Sequence, residues 1–105
     1  NTGGEKVFPE EIEEILKMHP TVVDAACVGV PDERFGSVVC AIVQLDAAVA
    51  VDAEVLRRHV RATAAGYKVP KHIVFVGDLE RLPNGKLDRT ALQKLALDAV
   101  GGSVA

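Results

Sequence analysis

"TVVDAACVGVPDERFGSVVCAIVQL", Thr21 to Leu45, holds two runs rich in β-branched residues on either side of a Pro-Asp-Glu-Arg-Phe-Gly segment. Such runs predict strands over 21–30 and 37–45, with "PDERFG" as the hairpin loop between them. Both are too apolar for the simple alternation of a half-solvated strand, so they read as strands covered on both faces.

The flanking sequence reads as helices. Upstream, Pro9 suits a first helical position, Glu10, Glu11, Glu13 and Glu14 load the positive end, and Lys17, His19 and Pro20 mark the close, which predicts a helix over about 9–18. Ile12, Ile15 and Leu16 form its narrow core-facing stripe, and the glutamates are expected to face water. Downstream, Asp52 is a good N-cap for "AEVLRRHVRATAA", with Val55, Leu56, Val60 and Thr63 as the stripe and Gly66 as a left-handed stop. "HIVFV" (72–76) reads as a third strand after the "YKVP" bend. "RTALQKLALDA" after Asp88 reads as a last helix with Leu92, Leu95, Ala96 and Ala99 at helical spacing. The order is turn, α, β, β, α, β, loop, α, without repeats or a low-complexity linker. The predicted fold class is α+β, a small three-stranded, mainly antiparallel sheet packed with about three helices.

Composition bounds the function. At 105 residues, 49% apolar and 26% charged, the chain fits one domain over 1–105 with a modest core. A net charge of -3 with scattered basic residues argues against a nucleic-acid partner. The longest strongly apolar run, 38–43, is too short to cross a bilayer, and no signal pattern opens the chain. A cytoplasmic location is therefore expected, with any membrane association running through parts outside this chain. Cys27 and Cys40 lie inside the apolar runs without the spacing of a metal knuckle or redox pair, and read as buried reduced thiols. His19, His59 and His72 are too irregularly spaced to suggest a metal site. The opening "NTGGEKVF" lacks an initiator methionine and starts on a Gly-Gly turn, which reads as a piece of something larger, and only "GGSVA" at the end reads as disordered.

Two glycine-bearing loops with a lysine are left over, "NTGGEK" at the start and "LPNGKLDR" at 82–89. Taken singly, each is an ordinary surface turn: proline pre-sets φ, Asn-Gly accepts positive φ, and the lysine is solvated.

Together, in this element order, they resemble the C-terminal domain of the adenylate-forming enzymes, the acyl-CoA synthetase superfamily. "GGEKVFPEEIEEIL" is similar to the motif heading that domain, and "PNGKLDR" matches its Pro-x-Gly-Lys-x-x-Arg. Between them, "VVDAACVGVPDERFGSVVCAIV" resembles the family hairpin with Asp-x-x-x-Gly in its loop, and "YKVPKHIVFVGDLERLPNGK" resembles the Tyr-Lys-x-Pro run leading to the lysine. Two departures, Ser37 after the glycine and Glu80-Arg81 in place of the commoner Pro-Arg, sit in linking positions.

The resemblance implies a ligase that joins a carboxylate to AMP and then passes the acyl group to coenzyme A. The substrates implied are ATP, CoA and, because the opening is closest to bacterial fatty-acyl-CoA synthetases, a fatty acid. Mg2+ is expected for the full-length enzyme and not on this domain. It further implies a hinge and a large N-terminal nucleotide-binding domain as partner, neither within this sequence, so the chain alone is not expected to turn over. Lys86 matches the adenylation lysine, with Asn84 and Gly85 letting it reach. Gly3, Gly4 and Glu5 match the turn brought to the pantetheine channel. For Lys6 two readings stand, an exposed lysine or a cation near the coenzyme A phosphates, and Arg89 reads as an interdomain or local structural contact. The rival readings are an adenylation enzyme that loads a carrier protein and a non-catalytic binding module.

Overall fold

A computed structural model of the chain describes residues 6–101. Strands β1 (Val22–Asp32) and β2 (Gly36–Leu45) pair antiparallel, with Cys27 opposite Ala41 and Val30 opposite Val38. Strand β3 (His72–Val76) joins the other side of β2 in parallel, Ile42 facing Val74. A parallel partner needs a crossover rather than a tight turn, and α2 (Ala53–Arg61) with a 3-10 turn (Gly66–Lys68) supplies it. Helices α1 (Pro9–Lys17) and α3 (Arg89–Gly101) open and close the described fold, a mixed and mostly antiparallel α+β arrangement as expected.

β2 lies in the middle of the β1-β2-β3 order, so Val38 through Val43 are buried without interruption. The period of two sends alternate side chains to opposite faces. On one face Ala25, Cys27, Val39, Ala41 and Val43 meet Ile12, Ile15 and Leu16 of α1 and Leu56 and Val60 of α2. On the other, Ala26, Val28, Val30, Val38, Cys40 and Ile42 meet Leu79 and, from α3, Leu92 and Ala96. Burial of each large aliphatic side chain contributes about 1.5–3 kcal/mol, so the double cover explains why neither strand alternates with polar residues.

The hairpin is tighter than expected. Pro31 and Asp32 continue β1, opposite Ser37 and Gly36. Proline is tolerated because β1 is an edge strand. Asp32 Oδ2 accepts the N–H groups of Arg34 (3.1 Å) and Phe35 (2.9 Å), and Gly36 completes the reversal at φ +78°.

Other expectations are corrected. Not every glutamate of α1 faces water, because Glu13 is only 6% exposed. α2 ends at Arg61 with Ala62 still in right-handed conformation, while Gly66 opens the 3-10 turn rather than providing a left-handed stop. Thr63 is exposed and Val55 half-buried, leaving Leu56 and Val60 as the buried stripe. On α3, Leu95 and Ala99 are exposed. Leu92 and Ala96 carry that contact with partly buried Val100, because i, i+4, i+8 keeps closer to one line than the mixed spacing. No helix among the described residues is long and apolar enough to cross a membrane.

Candidate functional site

The segment between β3 and α3 carries the lysine turn. Leu79, 5% exposed, drops into the α3-side core and donates its N–H to Gln44 Oε1 at 3.1 Å, which pins the segment to the central strand. Next, Glu80 adopts φ +57°, a left-handed conformation uncommon for a residue with a side chain, and its N–H donates to Asp78 Oδ1.

Residues 82–86 close on themselves. Gly85 N–H donates to the Leu82 carbonyl at 2.8 Å, and Leu82 N–H returns to the Lys86 carbonyl at 2.9 Å. Gly85 sits at φ +85°, and Asn84 Oδ1 accepts the Lys86 N–H at 3.0 Å. The Pro-Asn-Gly chemistry therefore acts as its sequence suggests. Lys86 is exposed, and among the described residues no hydrogen bond or ion pair holds its Nζ.

The flanks of this turn are tied down. Asp88 Oδ1 accepts Ala91 N–H at 3.1 Å and caps α3. Arg89 donates to Glu13 Oε2 (2.7 Å), Glu13 Oε1 (3.3 Å) and the Cys27 carbonyl (3.2 Å), so it is a local structural contact. Glu13 also accepts the Cys27 N–H at 2.9 Å. On the other flank, Arg81 forks onto Asp24 through Nε (2.7 Å) and Nη2 (2.8 Å) and donates from Nη1 to the Gly85 carbonyl at 2.8 Å. The paired guanidinium holds the Asp24 carboxyl below its ordinary range.

Asp24 reaches Arg81 from an irregularity. The β1–β2 register shifts between Val22 and Asp24. As a result, Val22 and Ala25 enter the same core while Val23 is exposed. Such a bulge re-aims side chains, and neither it nor the Arg81 fork can be read from local sequence.

Of the other predicted site residues, Gly3, Gly4 and Glu5 lie outside the described residues. Lys6 is exposed, its Nζ 5.6 Å from the Phe8 ring centroid, and no hydrogen bond or ion pair joins it to the Lys86 turn. The structure instead joins the helices behind the two loops, since Glu13 belongs to α1 and Arg89 to α3. The "YKVP" bend is also strapped inward. Lys68 Nζ lies 2.9 Å from Glu11 Oε1, and Arg57 donates to the Pro70 and Lys71 carbonyls at 3.0 and 2.9 Å.

Cys27 and Cys40 are free and buried, and burial pushes both thiols up, Cys40 to about 11, so neither is a thiolate near neutrality. Among the described residues no group of three or more His, Cys, Asp or Glu side chains is placed to hold a metal ion. A recess of about 810 Å³ lies at the hairpin tip, lined by Asp32, Arg34, Lys71 and His72 among others, and includes no residue of the Lys86 turn. A smaller recess flanks the turn, lined by Asp78, Leu79, Glu80 and Asp88 among others, and Lys86 itself is exposed beside it.

Known proteins share this sequence pattern and fold. Residues 11–86 match the family model described as AMP-binding enzyme C-terminal domain. The chain is 52% identical over 88 residues to a 3-oxocholest-4-en-26-oate–CoA ligase of Rhodococcus rhodochrous, covering 84% of this chain and 16% of that protein. It is 50% identical, with the same coverage, to a medium/long-chain-fatty-acid–CoA/3-oxocholest-4-en-26-oate–CoA ligase of Mycobacterium tuberculosis. Among solved structures, the Brucella canis acyl-CoA synthetase superposes with a TM-score of 0.86 at 34% identity, over 93% of this chain and 19% of that one. The chain therefore spans about a sixth of the length of the curated relatives it matches.

Proposed function

The chain belongs to the AMP-binding enzyme C-terminal domain family, and from that membership we propose that it is the mobile lid of an ATP-dependent acyl-CoA ligase, with Lys86 as its adenylation cation. The observation that carries the reading is the Leu82–Lys86 turn, closed on its own backbone and presenting at the motif position an exposed lysine that has no partner among the described residues.

Adenylation brings a carboxylate anion to the α-phosphate of ATP. Two like charges must meet, so a cation at the meeting point lowers repulsion and fixes geometry. Unit charges about 4 Å apart interact by roughly 4 kcal/mol at an effective dielectric near 20, and by more once a closed lid excludes water. In the second step the lid rotates, withdraws Lys86 and brings Gly3, Gly4, Glu5 and Lys6 to the pantetheine channel. Glycine permits close backbone approach there.

Mg2+ would accompany ATP on the nucleotide-binding domain, the proposed partner of this lid. The names of the relatives point to an apolar carboxylic acid, a fatty acid first and a sterol side-chain acid second. The cytoplasm, where ATP and CoA are available, is the proposed location.

The test is acyl-AMP formation by the full-length enzyme, followed by ATP–pyrophosphate exchange. Lys86→Ala is expected to lose on the order of 10²-fold or more, and near-normal acyl-AMP formation would refute the assignment. Release of acyl-CoA rather than an acylated carrier protein separates this reading from carrier loading. Acyl-CoA synthesis by the isolated 105-residue chain would contradict the lid role.

A further inference from the structure

We propose that Arg81 is a positioning residue for adenylation, acting through the turn that carries Lys86; this rests on the function proposed above. Its three donors have two destinations. Nε and Nη2 hold the Asp24 carboxylate on β1 at 2.7 and 2.8 Å, and Nη1 holds the Gly85 carbonyl at 2.8 Å. Arg81 is therefore a strut from the bulged edge strand to the peptide group directly preceding Lys86.

The other polar contacts of the turn do not fix its orientation. The Leu82–Gly85, Leu82–Lys86 and Asn84–Lys86 bonds are internal and would move with it. Among the described residues, Arg81 supplies the only polar side-chain link from the turn to the sheet. Leu82, Pro83, Asn84, Gly85 and Lys86 are all exposed, so packing does little to hold them.

Arginine suits this task and lysine does not. A planar fork engages a carboxylate with two parallel bonds and keeps a further N–H for the carbonyl, whereas an ammonium on a flexible stem fixes neither direction. Asp24 in turn is aimed by the register shift at Val22/Asp24. The chain of causes runs from a strand bulge, through one carboxylate and one guanidinium, to the backbone carrying the cation. A misplacement of about 1 Å in a reacting group can cost on the order of 10²-fold in rate.

The two half-reactions separate positioning from general support, because Lys86 serves only the first. In the full-length enzyme, Arg81→Gln is expected to slow acyl-AMP formation about tenfold or more, while transfer from supplied acyl-adenylate to CoA stays within about twofold. That unchanged second step also reports a folded lid. Arg81→Lys should recover little, Asp24→Asn should give a milder loss of the same kind, and in a Lys86→Ala background Arg81→Gln should add almost nothing. The proposal is overturned if Arg81→Gln leaves adenylation unchanged where Lys86→Ala abolishes it, if both half-reactions fall together, or if the two substitutions multiply. Intact adenylation in Lys86→Ala alone would instead remove the functional reading, and this inference with it.

Discussion

Arg89 Nη1 stands 2.7 Å from Glu13 Oε2, joining the first residue of α3 to the buried side of α1 beside Cys27 in the middle of β1. The two partners are unequal: the Glu13 side chain is 7% exposed and that of Arg89 45%. Removal of the arginine strands a desolvated carboxylate with the Cys27 N–H as its remaining partner. Removal of the acid leaves a guanidinium that can turn to water.

The expected outcome is an asymmetry. Arg89→Met should destabilise by about 1–3 kcal/mol, discounted from a fully buried pair because Arg89 is half in solvent. Glu13→Gln should cost less, since its amide oxygen still accepts the Cys27 N–H. The double variant should cost less than the sum of the singles. Urea denaturation of the four proteins checks the ordering, and equal single effects would contradict it.

A pH dependence follows from the contact between α2 and the segment after α1. His19 and His59 meet edge to face at 5.1 Å. His19 Nδ1 accepts the Thr21 N–H at 3.3 Å and lies 2.7 Å from Thr21 Oγ1. Burial, and secondarily the charge of His59, lowers the His19 pKa from its ordinary 6.5. The neutral ring is favoured in the fold, so below about pH 6.5 the unfolded chain binds the proton first. Stability should hold above that pH and decline from there down through the lowered folded value. Denaturation midpoints between pH 7.5 and 5 should fall less steeply in His19→Gln than in the parent.

Much of this fold is legible locally because its determinants are local. The β-branched runs on both sides of Gly36, the helical spacing of Ile12, Ile15 and Leu16, and "HIVFV" at 72–76 each match an observed element. Misreadings arise where a distant residue decides. Glu13 borders the apolar stripe of its helix, and two partners distant in the chain, the Cys27 N–H and Arg89, compensate its burial. Asp24 looks like a polar interruption of a strand until the bulge and Arg81 are known together. Gly66 resembles a helix stop, but α2 ends earlier, at Arg61. The turn at Lys86 was readable as a turn, and the resemblance of the whole chain to a family motif singled out its lysine.

Asp88 ends the lysine loop and caps α3 through Ala91 N–H at 3.1 Å. Asp88→Ala should cost about 1 kcal/mol, as loss of an N-cap does. Asp88→Asn or Asp88→Ser should recover most of it, because both keep an acceptor on a short side chain. Thermal denaturation checks the series, and failure of both replacements to recover stability would show that the cap contributes little.

Glu80 offers a stabilising change within the site. Its φ of +57° places a Cβ-bearing residue where glycine has no steric penalty. The side chain is exposed, so it has no packing to lose. Against the relief stands the greater freedom of glycine in the unfolded chain. The balance for a residue held left-handed by a bond from its own N–H to Asp78 favours replacement. Glu80→Gly is therefore expected to raise stability by about 0.5–1 kcal/mol. Glu80→Val, β-branched and poorly tolerated at positive φ, should lower it by at least as much. A denaturant series on the two variants tests the point. Should Glu80→Gly prove destabilising, the left-handed conformation is not what limits this segment.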